Sequence, residues 1–317
     1  MKINRISSNQ ILQNMCSESA FLQDQLVQPI FIKESNTRSN TISGLGDNKL
    51  FNLKDGIKRI EDDLNLNCKN FILFPVQSKK TNQNFNVDFT NYAIKSIKDN
   101  FGSDLFLWID LCICSLTKTG HCCIYKEQKM DIPLTLKALT KIAKEYSTSG
   151  VDGIAPSSMT PGIVKEVRKM LDKEKKELIP IMSYSTKFAS NFYGPFREAA
   201  DSAPQFGDRR EYQLDVRSRK SAISSSIAYA NEGADLLMVK PGLTSIDLIS
   251  EIRQITKKPV GAYHVSGEFA SLKILDKSKL INFDKATSEV WDTFKRAGAQ
   301  YIISYAARHA KRIYFNG

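Results

Sequence analysis

The chain has 317 residues, 42% hydrophobic and 25% charged, with a formal net charge of +11. That is an ordinary globular composition, and no run of about 18 uncharged apolar residues exists to cross a bilayer. The charge does not read as nucleic-acid binding, because only 13 of the 45 basic residues are arginine and no basic stripe is interleaved with aromatics; it suits anionic small molecules instead.

Residues 1–25 are polar with scattered apolar positions. They lack the continuous apolar stretch of a secretory signal, and Glu18 and Asp24 against a lone Arg5 suit a transit peptide poorly. The expectation is a cytoplasmic protein with an N-terminal arm, either a tail or a strap on a neighbouring subunit. Residues 26–317 read as one catalytic domain.

Eight short apolar runs follow in chain order: Leu26–Ile32, Asn70–Val76, Leu105–Leu111, Val151–Ala155, Leu178–Ser183, Ala234–Val239, Pro259–Val265 and Gln300–Tyr305. Buried parallel strands have this look. Between them, Thr135–Tyr146, Ile163–Leu171, Arg219–Asn231, Ser245–Ile255 and Ala286–Ala297 carry helical spacing. Gly150, Gly233 and Gly298 stand where three of these should stop. Eight β/α units predict a single (β/α)₈ TIM barrel. An open doubly wound sheet is the alternative, weakened because no glycine-rich phosphate loop follows any strand. The stretch Ser190–Asp215, with Gly194, Pro195, Pro204 and Gly207, reads as an active-site lid.

Barrel chemistry gathers at the C-terminal ends of strands. That rim would carry Asp110, Cys112 and Cys114 after the third strand, then Ser157, Lys187, Lys240, Ser266 and Tyr305 after the next five. Cys112, Cys114 and Cys122 are either inert buried thiols or a metal site. Their position at a strand end favours the metal, and three thiolates with an open fourth place suit catalytic zinc. His121 and Cys123 would stand behind that trio. Lys187 and Lys240 close consecutive strands. Either alone could cap a strand at the surface. Together in one pocket they would lower each other's pKa, and a neutral lysine can attack a ketone to form a Schiff base. Two such lysines suggest two carbonyl substrates, or two copies of one.

The segments Ile181–Ser190, Phe192–Arg197, Gly207–Arg210 with Tyr212 and Gln213, Leu237–Gly242, His264–Phe269, Asp110–Cys114 and Gly120–Cys122 resemble the delta-aminolevulinic acid dehydratase (porphobilinogen synthase) family. The similarity runs in register from about Leu26 to the C-terminus. The resemblance implies a homo-oligomer, commonly a homo-octamer, that condenses two 5-aminolevulinate molecules to porphobilinogen with loss of two waters, in heme biosynthesis. It implies that Lys240 holds the first substrate as a Schiff base and Lys187 the second. Ser266 and Tyr305 would bind the first carboxylate. Arg197, Arg209 and Gln213 would bind the second, with Tyr193 beside them. Zinc on Cys112, Cys114 and Cys122 would polarise the second substrate, and Asp110 would assist proton transfer.

The chain departs from the family at its periphery. Ser157–Gly162 stands where an Asp-rich segment is usual, Lys80–Asn84 where an acidic loop is usual, and Thr119 where a histidine is usual. Leu275–Lys279 replaces a small-residue helix, and the motif near Ser43–Leu45 is eroded. Ser225 occupies the place of a magnesium-binding glutamate, so allosteric magnesium is not expected. Two other readings remain at this stage: a one-lysine Schiff-base barrel such as an aldolase, and a catalytically dead binding protein.

Overall fold

The computed structural model describes residues 22–127 and 129–315. All but the last four residues of the expected N-terminal arm, residues 22–25, lie outside them. Eight parallel strands are β1 (Leu26–Lys33), β2 (Asn70–Val76), β3 (Phe106–Leu111), β4 (Gly153–Pro156), β5 (Met182–Lys187), β6 (Leu236–Lys240), β7 (Val260–His264) and β8 (Tyr301–Ser304). They hydrogen-bond in the order β4-β3-β2-β1-β8-β7-β6-β5. The ring closes where Ile154 bridges Ile181 in parallel and the Ile154 N–H donates to Pro180 O at 3.0 Å. Closure excludes the open doubly wound sheet. The strands are buried on both faces almost throughout, which is why their sequences run apolar rather than alternate.

Helices pack around the ring: α1 (Leu53–Asn65), α2 (Asp88–Phe101), α3 (Ile132–Thr148), α4 (Ile163–Lys173), α5 (Arg219–Asn231), α6 (Ile249–Thr256), α7 (Ser266–Lys277) and α8 (Phe283–Arg296). Gly150, Gly233 and Gly298 do follow α3, α5 and α8, with φ of +99°, +104° and +101°, a left-handed turn that glycine adopts without strain. The segment expected as a helix over Ser245–Ile255 divides into a 3₁₀ turn, Leu243–Leu248, and α6. Sequence reading passed over α1 and α2. Their signal is present in Leu53, Ile57, Ile60 and Leu64, and again in Phe89, Ala93, Ile97 and Phe101. It also passed over α7, which starts at Ser266 with no connecting turn after β7. Leu275–Lys277 therefore extends a helix rather than replacing one. No helix among the described residues is long and apolar enough to cross a membrane.

The fifth strand corrects the expected bounds most. Leu178 is 96% exposed, and the strand starts only at Met182. Pro180 has no N–H for a strand ladder. The strand that forms is rich in hydroxyls, and these are paired in the interior. Thr186 Oγ1 meets Ser226 Oγ at 2.8 Å, and Ser226 Oγ donates to Ser185 Oγ at 3.0 Å. A search for apolar runs ends at the first such serine.

Close approach across the ring fixes one glycine. Gly153 of β4 pairs with Trp108 of β3, and a Cβ there would lie 2.4 Å from Trp108 Cε3. Gly153→Ala should cost about 1–3 kcal/mol through overpacking, measured as a lower urea midpoint with an unchanged slope.

Candidate active site

The strands deliver the reactive side chains to one rim. Lys187 is the last residue of β5 and Lys240 the last of β6, and the two are Cα partners in the ladder. The tertiary fold thus pairs two lysines 53 residues apart in sequence. Both side chains are buried. Lys187 Nζ donates to Ser157 O just beyond β4, at 2.7 Å. Lys240 Nζ lies among rings, 4.0 Å from the Tyr263 centroid, 4.9 Å from Phe196, 5.0 Å from Tyr184 and 5.3 Å from Tyr193. Burial in this cage, together with the charge of Lys187, holds Lys240 well below the usual lysine range; Asp110 opposes this. The amine is thereby disposed to be neutral and nucleophilic. Burial pushes the Asp110 carboxyl up to about 6, against the pull of Lys187, Ser157 and Lys240. That value suits a group that both takes and gives a proton near neutrality.

The sulfurs of Cys112, Cys114 and Cys122 all lie within 4.8 Å of one another and are buried. Four tetrahedral ligands at about 2.3 Å would place sulfurs roughly 3.8 Å apart, which that bound accommodates, so the trio could hold a metal ion. Hydrogen bonds to Cys114 and Cys122, with burial, push the Cys112 thiol up. Hydrogen bonds from Cys112 and Cys114 pull Cys122 well below the ordinary thiol range. Cys123 turns away, its sulfur 3.7 Å from Thr160 Oγ1, and burial pushes its thiol up to about 12.

His121 ties the cysteine loop to the lid. Its Nε2 lies 2.9 Å from Phe206 O, which only accepts, so Nε2 carries the proton. Nδ1 then accepts from the Tyr212 hydroxyl at 3.1 Å, whose oxygen accepts the Cys122 N–H at 3.2 Å. Arg209 Nη2 donates to Gly120 O at 2.9 Å and also to Ser202 O. Burial would lower Arg209, but negative charge on Cys122 and Cys114 as thiolates outweighs it and raises the guanidinium.

The lid begins with a 3₁₀ turn, Asn191–Tyr193, and a short helix, Gly194–Ala199. Tyr193 Oη donates to Phe188 O at 2.8 Å and lies 3.2 Å from Lys240 O. Ser266 Oγ accepts the Phe196 N–H at 3.1 Å and lies 3.3 Å from Phe192 O. Tyr305 Oη is 3.4 Å from Tyr263 Oη. Phe196 and Ala200 close over the small cavity beside Asp110, Cys112 and Cys114. A roomier groove of about 370 Å³ lies between Phe85, Ile124, Leu134 and Ile142, but none of its lining residues is an acid, histidine or cysteine.

Several buried polar atoms here have no partner among the described residues: Asp110 Oδ1, Tyr184 Oη, Arg197 Nε, Arg209 Nε and both amide atoms of Gln213. Such groups normally find partners. A polar ligand at this rim could partner them. Every residue expected from sequence lies at this rim or on its lid. Sequence reading missed the ring cage of Tyr184, Tyr263 and Phe196, the Tyr212 link, and Glu268, which is buried beneath Ser266.

Residues 1–313 match the family model described as Delta-aminolevulinic acid dehydratase. A delta-aminolevulinic acid dehydratase of Helicobacter pylori is 39% identical over 98% of this chain and 97% of its own. One of Archaeoglobus fulgidus is 37% identical over 95% and 94%. The crystal structure of delta-aminolevulinic acid dehydratase (porphobilinogen synthase) from Toxoplasma gondii ME49, in complex with the reaction product porphobilinogen, superposes with a TM-score of 0.94. It is 33% identical and is covered over 91% of its length, against 98% of this chain.

The lysine geometry has a pH consequence. A depressed lysine loses its nucleophilic form only as pH falls through the depressed value. Lys187→Met removes the repelling charge, so the pKa of Lys240 should rise. Imine trapping at Lys240 should then be slower at pH 7 and its profile should move to higher pH, read by borohydride reduction and peptide mass mapping. An unmoved profile would mean that burial alone sets the amine.

Proposed function

The chain belongs to the delta-aminolevulinic acid dehydratase family, and on that premise we propose how its rim joins two molecules of 5-aminolevulinate into porphobilinogen and two waters in tetrapyrrole biosynthesis. The observation that carries the reading is the register pairing of two buried lysines beneath one lid. An aldolase-type reaction needs one lysine and leaves the second unused. A dead relative would have no need to keep both lysines, the cysteine trio and two lid arginines together.

Lys240 adds to the ketone of one substrate, whose oxygen leaves as water with two protons, giving an imine. Lys187 does the same with the other substrate. Loss of a proton from the carbon beside one imine gives an enamine, which attacks the other imine carbon and forms the carbon–carbon bond. Expulsion of one lysine and displacement of the other by a substrate amine close the ring and return both lysines free. Two waters have then left for each product. Asp110 is positioned to carry protons between these steps. Ser266 and Tyr305 hold the carboxylate of the substrate on Lys240. Arg197, Arg209 and Gln213 hold the other, beside Tyr193; the unpaired Arg and Gln atoms favour this. The lid keeps water from the imines.

Cys112, Cys114 and Cys122 would hold zinc, which as a Lewis acid would polarise the second substrate. The assembly in this reading is a cytoplasmic homo-oligomer, octameric as the resemblance implies, and the net positive charge draws in the anionic substrate.

Allosteric magnesium has no place in this reading. Ser225 Oγ donates to Ser185 O at 2.7 Å. Glu232 is already engaged at the start of α4, where it accepts the Lys165 N–H at 3.3 Å and further backbone N–H groups of Gly162 and Val164. That is an N-terminal cap, not a spare carboxylate.

Incubation with 5-aminolevulinate should yield porphobilinogen in a colour assay, and Lys240→Met should abolish it with the fold intact. Absence of product from well-folded parent protein would sink the reading. Metal analysis should find zinc, and Cys122→Ala should lose both metal and turnover; full turnover after thorough demetallation would remove the zinc assignment. Activity and sedimentation should coincide with and without millimolar magnesium, and a gain in either on adding it would show that another carboxylate serves.

A further inference from the structure

We propose that Glu268 is a positioning residue that sets the distance between the Lys240 loop and the Ser266 turn. This rests on the roles given above to Lys240 and Ser266. Glu268 is the third residue of α7 and is 3% exposed. Its Oε2 accepts the Val265 N–H at 2.9 Å, which is the ordinary duty of a glutamate at this place in a helix. Its Oε1 does something else. It leaves the helix and accepts the Leu243 N–H at 2.8 Å, 25 residues back in sequence. Burial pushes the Glu268 carboxyl up to about 7, opposed by the N–H groups of Val265, Leu243, Thr244 and Gly242. One carboxylate therefore clasps the segment that follows Lys240 to the residue that precedes Ser266.

The two clasped segments have little room to relax. A Cβ on Gly242 would lie 2.6 Å from Phe294 Cζ and 2.9 Å from Tyr263 O. A Cβ on Gly267 would lie 2.7 Å from Phe192 O, so the first turn of α7 is seated against the start of the lid. Ser266 meets that lid directly, through Phe192 O and the Phe196 N–H. Phe196 in turn faces Lys240 Nζ. Glu268 bonds backbone N–H groups rather than either lysine. It acts by holding the ketone end and the carboxylate end of one substrate site at a fixed separation.

Both oxygens must accept for the clasp to hold. Glutamine offers one acceptor and turns an NH₂ toward N–H donors. Aspartate keeps two acceptors but is one methylene too short to span both segments. The test traps imines with borohydride in full-length Glu268→Gln and Glu268→Asp, using levulinate, which has a ketone and a carboxylate, and acetone, which has the ketone alone. Adducts are read on Lys240 by peptide mass. Levulinate trapping should fall about tenfold or more in Glu268→Gln, the loss of one hydrogen bond to a charged group, while acetone trapping stays unchanged. Glu268→Asp should show the same pattern and carries the test if the glutamine variant does not fold. Equal loss with both ketones would mean that Glu268 only supports the fold, and no loss with either would mean that the clasp is idle; each overturns the proposal. Absence of any Lys240 adduct in the parent protein would instead remove the function on which it rests.

Discussion

The register of β5 against β6 is the constraint on which the site depends. It places Lys187 and Lys240 side by side at the end of their strands, and neighbouring parallel strands lie only about 4.8 Å apart. Two ammonium groups so close, both out of water, cannot both keep their protons comfortably. Their surroundings divide the cost unequally. Lys187 has a carbonyl to hold. Lys240 lies among aromatic faces, and burial with the Lys187 charge holds it well below the usual lysine range, against the pull of Asp110. A one-residue slip of β6 would turn Lys240 to the other face of the strand and dissolve the arrangement.

The hydroxyl-rich character of β5 follows from this. Serine and threonine in a buried strand need partners, and α5 supplies them through Ser226 while Ser225 reaches the β5 backbone. These bonds fix α5 against the strand that carries Lys187. Registry is thus secured by polar bonds as well as by packing, which is stringent because hydrogen bonds are directional.

The cysteine loop and the lid are mechanically one piece. Cys122, Tyr212, His121 and Phe206 form a chain of hydrogen bonds, and Arg209 spans Gly120 and Ser202. Gly120 has φ of +69°, and a Cβ there would strike Ala203 O at 2.1 Å, so lid and loop touch backbone to backbone. The thiols and this segment therefore share one hydrogen-bond network. Thr119 O accepts the Gln205 N–H of the lid at 2.9 Å.

Much of this was legible in the sequence. The apolar runs located eight strands, because strands buried on both faces cannot hide their composition. Gly150, Gly233 and Gly298 marked helix ends, because a left-handed residue after a helix favours glycine. Lys187 and Lys240 were legible as strand-end lysines, and the fold does place each at the end of its strand. What the sequence alone did not yield has one physical cause: it depends on contacts between residues far apart in the chain. The hydroxyls of β5 find their partners on α5. The ring cage around Lys240 comes from β5, β7 and the lid, and no single segment announces it. Glu268 reads locally as a helix cap, and only the folded chain brings the Leu243 N–H to its second oxygen. Sequence determined which groups the protein carries and where most of its strands lie; the tertiary structure decided which of those groups share a pocket, and so why Lys240 is held below the usual lysine range.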